Sequence, residues 1–245
     1  MADAVVDLTE DASTMTTTQP ITPSDSLAKL AASRAGASRV FHRYGLDFCC
    51  HGSVSLASAC AQEQLEVGRV IAEIEAEAGG DGGIERWSEW PVPELIDRIV
   101  AHFHEAHRRE LPRLIEMART VERVHAGKTT RPTGLADHLD LMRDALELHM
   151  QKEEQALFPL LRAGHGRMAA APISVMEREH EDHARHLARL RALTNGHRPP
   201  EGACATWRGL YLGLADLERA LMEHIHVENN VLFPRALRGG DAGLP

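Results

Sequence analysis

Aromatic residues make up only 4% of the 245-residue chain, and few segments are rich in β-branched residues, while Ala, Leu, Glu and Arg are plentiful. That shortage argues against sheet and predicts an all-α protein. Four cysteines are too few for a disulfide scaffold, and two of them, Cys49 and Cys50, are adjacent and poorly placed to bridge to each other without strain. No lysine-rich or arginine-rich run interrupts a formal net charge of -9, so a surface built to neutralise phosphates is not expected, and neither is nucleic acid as a partner. The opening MADAVVDLTEDASTMTTTQP has no basic n-region and no apolar h-region. Neither export nor membrane insertion is therefore signalled, and the cytoplasm is the expected compartment.

Against these absences stands 43% apolar content, enough for a helical core. Residues 1–23 are rich in Thr, Ser, Asp and Ala and lack apolar periodicity, which predicts a disordered leader. Residues 24–78 carry short helical patterns broken at Gly36, Gly45 and the turn Cys49-Cys50-His51-Gly52, the signature of a small helical domain. Residues 79–92 open with Gly79-Gly80-Asp81-Gly82-Gly83 and read as a hinge that lets the flanking domains move. Residues 93–238 then hold four long amphipathic patterns, at about 93–125, 133–163, 172–195 and 204–236, separated by Pro/Gly connections. Four such helices joined by short loops predict an antiparallel four-helix bundle.

The bundle repeats itself. HMQKEEQALFP, from His149 to Pro159, aligns with HIHVENNVLFP, from His224 to Pro234, so that His, Glu, Leu, Phe and Pro recur at the same relative positions. HEAH (His104 to His107) and HEDH (His180 to His183) sit on the other two helices. Two helical hairpins related by a pseudo-twofold are implied.

At about 100° per residue, His149 and Glu153 fall on the apolar stripe Leu135, Leu139, Met142, Leu146, Leu157 and Leu160. His224 and Glu228 continue the line Leu210, Leu214, Leu217 and Leu221, while His226 is expected to point outward. His180 and His183 interrupt the third stripe. His104 and His107 interrupt the first, where angle alone favours His107. His102, His138 and His186 are expected at the edge of the bundle, in solvent. Burying carboxylates costs several kcal/mol each unless a cation compensates, and no Lys or Arg occupies a stripe position. A metal supplies that charge. At least four histidines and two glutamates exceed what one tetrahedral zinc needs and suit two adjacent ions, iron before manganese.

HFHEAHRRELP, HMQKEEQALFPLL, ISVMEREHEDH and HIHVENNVLFPRAL, together with DFCCHG from Asp47 to Gly52, closely resemble the iron-sulfur cluster repair di-iron proteins of the Ric family. The resemblance covers about residues 26–238. It implies a haemerythrin-like bundle holding two non-haem iron ions, oxo- and carboxylate-bridged. Carried over position by position, the ligands are His104, His149, Glu153, His180, His224 and Glu228, with the two glutamates bridging. His107 and His183 are then candidates to orient the ligands.

The function implied is the repair of iron-sulfur clusters damaged by oxidative or nitrosative stress, in a monomer or homodimer that meets damaged iron-sulfur proteins. The centre would act as a stoichiometric iron donor, as a nitric-oxide-reducing site, or both. A haemerythrin-like module that binds or senses oxygen or nitric oxide, with the N-terminal domain as transmitter, is the alternative. Cys49 and Cys50, in a turn beside His51, are the candidate catalytic thiols and are expected to have low pKa values. Cys60 and Cys204 have no partner suggested by spacing and read as structural.

Overall fold

The computed structural model describes residues 19–34, 36–77 and 87–239. Most of the expected leader and the glycine-rich part of the expected hinge lie outside the described residues. Within them the chain is helical, with a single isolated antiparallel bridge between Ser26 and Ser55 and no strand.

Four short helices come first: α1 (Leu27–Ser33), α2 (Ala37–Tyr44), α3 (Leu56–Gln62) and α4 (Val67–Glu77). The sequence marks their ends. Ser26 and Ser55 cap α1 and α3 by accepting from the N–H groups of Lys29 and Ser58, each at 3.2 Å. Gly45 closes α2 with φ of 70°, the left-handed conformation glycine adopts at least cost.

The four long helices follow. Helix α5 comprises Val92–Ile99, a π-helical turn Val100–His104, and Glu105–Val124. Helix α6 comprises Leu135–Lys152, a π turn Glu153–Leu157, and Phe158–Arg162. Helix α7 is Ala170–Leu193 and has no such turn. Helix α8 comprises Ala205–Val227, a π turn Glu228–Leu232, and Phe233–Leu237. In α6 and α8 the turn closes when Phe158 and Phe233 donate five residues back, to the carbonyls of Glu153 and Glu228. Pro159 and Pro234 come next and have no N–H to give, which favours the wide turn over a regular one. Helix α5 makes the same turn, Glu105 N–H to Val100 carbonyl, without a nearby proline.

Two apolar clusters fill the molecule. One includes Ile96, Ile99 and Phe103 of α5, Leu157 and Phe158 of α6, Ile173 and Met176 of α7, and Val231 and Phe233 of α8. The other takes Leu111 and Leu114, Leu139 and Leu146, Leu187 and Leu190, and Leu210 and Leu214 from the same four helices. The order of the clusters reverses from each helix to the next, so the four run antiparallel. The polar site residues lie between the clusters on every helix.

The second cluster continues without a break into Leu27, Leu30, Val40, Phe41, Phe48, Leu56 and Ile74 of the N-terminal unit. Gly79–Gly83 themselves fall outside the described residues, but the units they join share one core and are packed against each other. Trp87, within the expected hinge, is buried with its ring centroid 5.2 Å from that of Phe103.

Candidate metal centre

Six side chains converge where the apolar clusters stop. His104, Glu153, His180, His224 and Glu228 are fully buried and His149 is 1% exposed. Their ligand atoms form two groups, His104, Glu153, His224 and Glu228 in one and His149, Glu153, His180 and Glu228 in the other, each within 4.8 Å. Both carboxylates belong to both groups. Nε2 of His104 lies 3.4 Å from Glu153 and Nε2 of His149 lies 3.5 Å from it. Glu228 has one oxygen 3.1 Å from His224 Nε2 and the other 3.1 Å from His180 Nε2.

The outer ring nitrogens explain why the inner ones point inward unprotonated. His104 Nδ1 donates to Glu154 at 2.7 Å, His149 Nδ1 to Glu179 at 3.1 Å, and His180 Nδ1 to the Asn229 side-chain oxygen at 2.8 Å. A neutral imidazole that donates through Nδ1 carries its lone pair on Nε2. Burial, reinforced by the neighbouring His224, pushes His104 down to about 4, and burial also lowers His149. Both rings are neutral at pH 7.

A cation fits this arrangement on three observations. His149 and His180 face each other Nε2 to Nε2 at 3.2 Å while the Nδ1 of each is engaged outward, so a cation between the rings would satisfy both inner nitrogens. Neither oxygen of Glu153 has a hydrogen-bond partner, although the residue is fully buried. Among the described residues no lysine or arginine pairs with Glu153 or Glu228. Burial, then the adjacent Glu228 charge, pushes the Glu153 carboxyl well above its ordinary range. Nitrogen and carboxylate donors of this kind suit iron, manganese or zinc.

His107 and His183 are buried, yet neither joins either group, and the Nε2 of each has no partner. Their rings lie 5.4 Å from His224 and 5.0 Å from His149. A uniform helical wheel favours His107 over His104 because it assumes one pitch throughout. The π turn Val100–His104 inserts an extra residue, which rotates the register by about 100° between the two halves of α5.

His226 corrects a second expectation. It does point out of the bundle, but into the N-terminal unit, where it is 4% exposed. Its Nδ1 donates to the Phe48 carbonyl at 3.4 Å, its ring lies 5.4 Å from Phe48, and burial lowers it to about 4. His138 is half-buried and donates to the His186 carbonyl at 2.9 Å. His102 is exposed, as expected.

The Cys49-Cys50 turn sits directly on this face. Asn229 Nδ2 donates to the Cys49 carbonyl at 3.2 Å and Asn230 Nδ2 to the same oxygen at 3.1 Å. Gly52 is required by the close approach: a Cβ there would stand 2.6 Å from the Phe48 carbonyl oxygen and 2.9 Å from Asn230 Oδ1. The expectation of low-pKa thiols fails for Cys49. Its hydrogen bond to the Cys50 sulfur, its burial, and the nearby Asp47 carboxylate all hold the thiol well above its ordinary value.

Glu154, Glu179 and Asn229 were not identified from sequence as partners of the imidazoles. The repeat carries a signal for two of them, because Glu154 and Asn229 occupy the same position, one residue after Glu153 and Glu228. No helix among the described residues is long and apolar enough to cross a membrane.

Comparison with known proteins agrees with this geometry. The Hemerythrin HHE cation binding domain matches residues 95–236, and a Domain of Unknown function (DUF542) matches residues 23–78. The chain is 47% identical to the iron-sulfur cluster repair protein YtfE of Pectobacterium atrosepticum over 214 residues, covering 87% of this chain and 97% of the relative. It is 47% identical to that of Musicola paradisiaca, over 87% of this chain and 96% of the relative, and 46% identical to that of Citrobacter koseri, with the same two coverages. Two buried His/Glu clusters on antiparallel helices, matched along most of their length, place the chain in the hemerythrin HHE family.

Proposed function

We propose that this chain is a di-iron protein that repairs iron-sulfur clusters damaged by oxidative or nitrosative stress. The observation that carries the reading is the pair of buried His2Glu2 groups sharing both carboxylates. Its support from outside the structure is 45–47% identity to proteins named for iron-sulfur cluster repair.

In this reading His104 and His224 would hold one ion and His149 and His180 the other, with Glu153 and Glu228 available to both. When bound, a ferrous pair supplies electrons and exchangeable positions for a diatomic such as nitric oxide or oxygen, and the iron is itself cargo for repair. The chain's own residues do the rest. Glu154, Glu179 and Asn229 hold Nδ1 protons on three of the four imidazoles and keep each inner nitrogen free to ligate. The apolar clusters on either side exclude bulk water, which strengthens every charge interaction between them. Damaged iron-sulfur proteins are the partners, the cytoplasm the compartment, and a monomer or homodimer the working unit.

The test is reactivation of an iron-sulfur enzyme inactivated by nitric oxide or peroxide, with iron-loaded protein, metal-free protein and a loaded Glu228→Gln variant compared side by side. Recovery with the loaded protein only, matched by iron leaving it, is the expected result. Equal recovery with metal-free protein would overturn the reading.

A further inference from the structure

We propose that Asp47, Cys49 and Cys50 form a second metal site, separate from the bundle centre, that takes a thiophilic divalent ion. The three ligand atoms lie within 4.8 Å of one another. The two sulfurs are 3.9 Å apart and both cysteines are free. Two thiolates at about 2.3 Å from one tetrahedral ion stand about 3.8 Å apart, so this spacing is the one co-ligation requires. The Cys49 sulfur is 3.2 Å from Asp47 Oδ1, on the same side of the turn.

The turn is built to hold these atoms rather than merely to pass by. Cys50 N–H donates to Asp47 Oδ1 at 2.9 Å, which folds the segment back on itself. Asn229 and Asn230 clamp the Cys49 carbonyl from the bundle, which fixes the peptide that carries the two thiols. Cys49 is 3% exposed, yet Cys50 and Asp47 are half-buried, and a cavity of about 320 Å³ lined by Leu46, Asp47, His51, Val54 and Glu63 opens on the carboxylate. His51, largely exposed, holds the other oxygen of Asp47 at 2.7 Å and so orients the carboxylate. An ion can therefore enter from solvent or from a bound partner.

Charge balance favours the ion over the empty thiols. A dication enters as the two thiol protons leave, and the carboxylate is already ionised. The hydrogen bond to Cys50, burial and the Asp47 carboxylate raise the Cys49 thiol together, and a bound dication would offset the charge among them. The ion's identity as ferrous iron in transit rests on the function proposed above; the existence of the site does not. Asn229 links the two places, because the amide that donates to the Cys49 carbonyl also accepts from His180 Nδ1.

Cadmium is the probe, added to protein with its bundle metal in place and its thiols kept reduced by a non-thiol reductant. Thiolate-to-cadmium absorption in the ultraviolet reports only cysteine ligation, so the bundle centre, whose two groups contain only histidine and glutamate, stays silent. The expected result is saturation at one cadmium per chain with the intensity of two thiolates and release of two protons. Cys49→Ser and the half-buried Cys50→Ser each weaken binding by at least about 100-fold, and Asp47→Asn by at least about tenfold. Cys60→Ser and Cys204→Ser leave the signal intact. Helical circular dichroism and the bundle's own absorption verify that each variant folds. Absence of the signal in folded wild type, or its survival in the Cys49→Ser/Cys50→Ser double variant, would overturn the proposal. An intact signal in protein whose bundle takes up no iron upholds this site and refutes the iron reading, so the two failures are separate.

Discussion

Helices α6 and α8 carry the same motif in the same register and face different surroundings. The shared residues, His149 and His224, Glu153 and Glu228, Phe158 and Phe233, Pro159 and Pro234, build the inner face and the two π turns. The residues that differ look the other way. Gln151 and Gln155 of α6 are exposed, whereas their counterparts His226 and Asn230 of α8 hold the Phe48–Cys49 backbone. Arg143 is a half-buried surface residue paired with Asp140 and Asp144, while its counterpart Glu218 is buried among His42, Arg191 and His197. Glu154 and Asn229 both accept from an imidazole Nδ1, but only the amide also has an N–H to offer the Cys49 carbonyl. The repeat therefore encodes the centre twice, and its departures from symmetry attach the N-terminal unit to one side.

The largest test of that attachment is Phe48→Ala. Removing a fully buried ring should cost about 3–5 kcal/mol in urea unfolding, against less than about 0.5 kcal/mol for Gln151→Ala on the exposed counterpart face. Equal effects would end the comparison.

Glu218 comes next. Burial raises its carboxyl, but hydrogen bonds from His197 and His42 and the Arg191 charge outweigh that and hold it at about 2. A folded pKa below the ordinary 4.5 means the stabilisation is present above about pH 4.5 and is lost as pH falls toward 2. Glu218→Ala should cost about 3 kcal/mol at pH 7, with a wild-type advantage that shrinks across that window; a pH-independent difference would contradict the ion-pair account.

Why some of this was readable in the sequence, and some not, has a physical answer. The amphipathic period and the duplicated motif encode helices, antiparallel order and five of the six inward residues, because a buried carboxylate on an apolar stripe is hard to explain without a cation, while His104 comes from the family resemblance alone. The wheel went astray at His107 because a π turn changes the pitch without any composition signal in α5. It went astray at His226 because outward from a helix bundle is not the same as outward to solvent once another unit packs there. The thiol of Cys49 was misjudged because its acidity depends on Cys50 and Asp47 folding around it.

Smaller effects sharpen the asymmetry further. Asn230→Ala should destabilise by about 1–3 kcal/mol, leaving the Cys49 and Phe48 carbonyls with fewer donors, while Gln155→Ala does almost nothing. Glu154→Gln keeps an acceptor for His104 and drops its charge, so it should weaken metal retention by about tenfold in a chelator competition. Retention equal to wild type would remove Glu154 from the account.

The central claim, two ions sharing Glu153 and Glu228, is tested most directly by metal content and absorption of freshly purified wild type beside Glu153→Ala. The account predicts two irons per chain, one for each of the two residue groups, with both irons and the ferric absorption lost in a variant that remains helical. One zinc per chain, or two irons retained without Glu153, would contradict it.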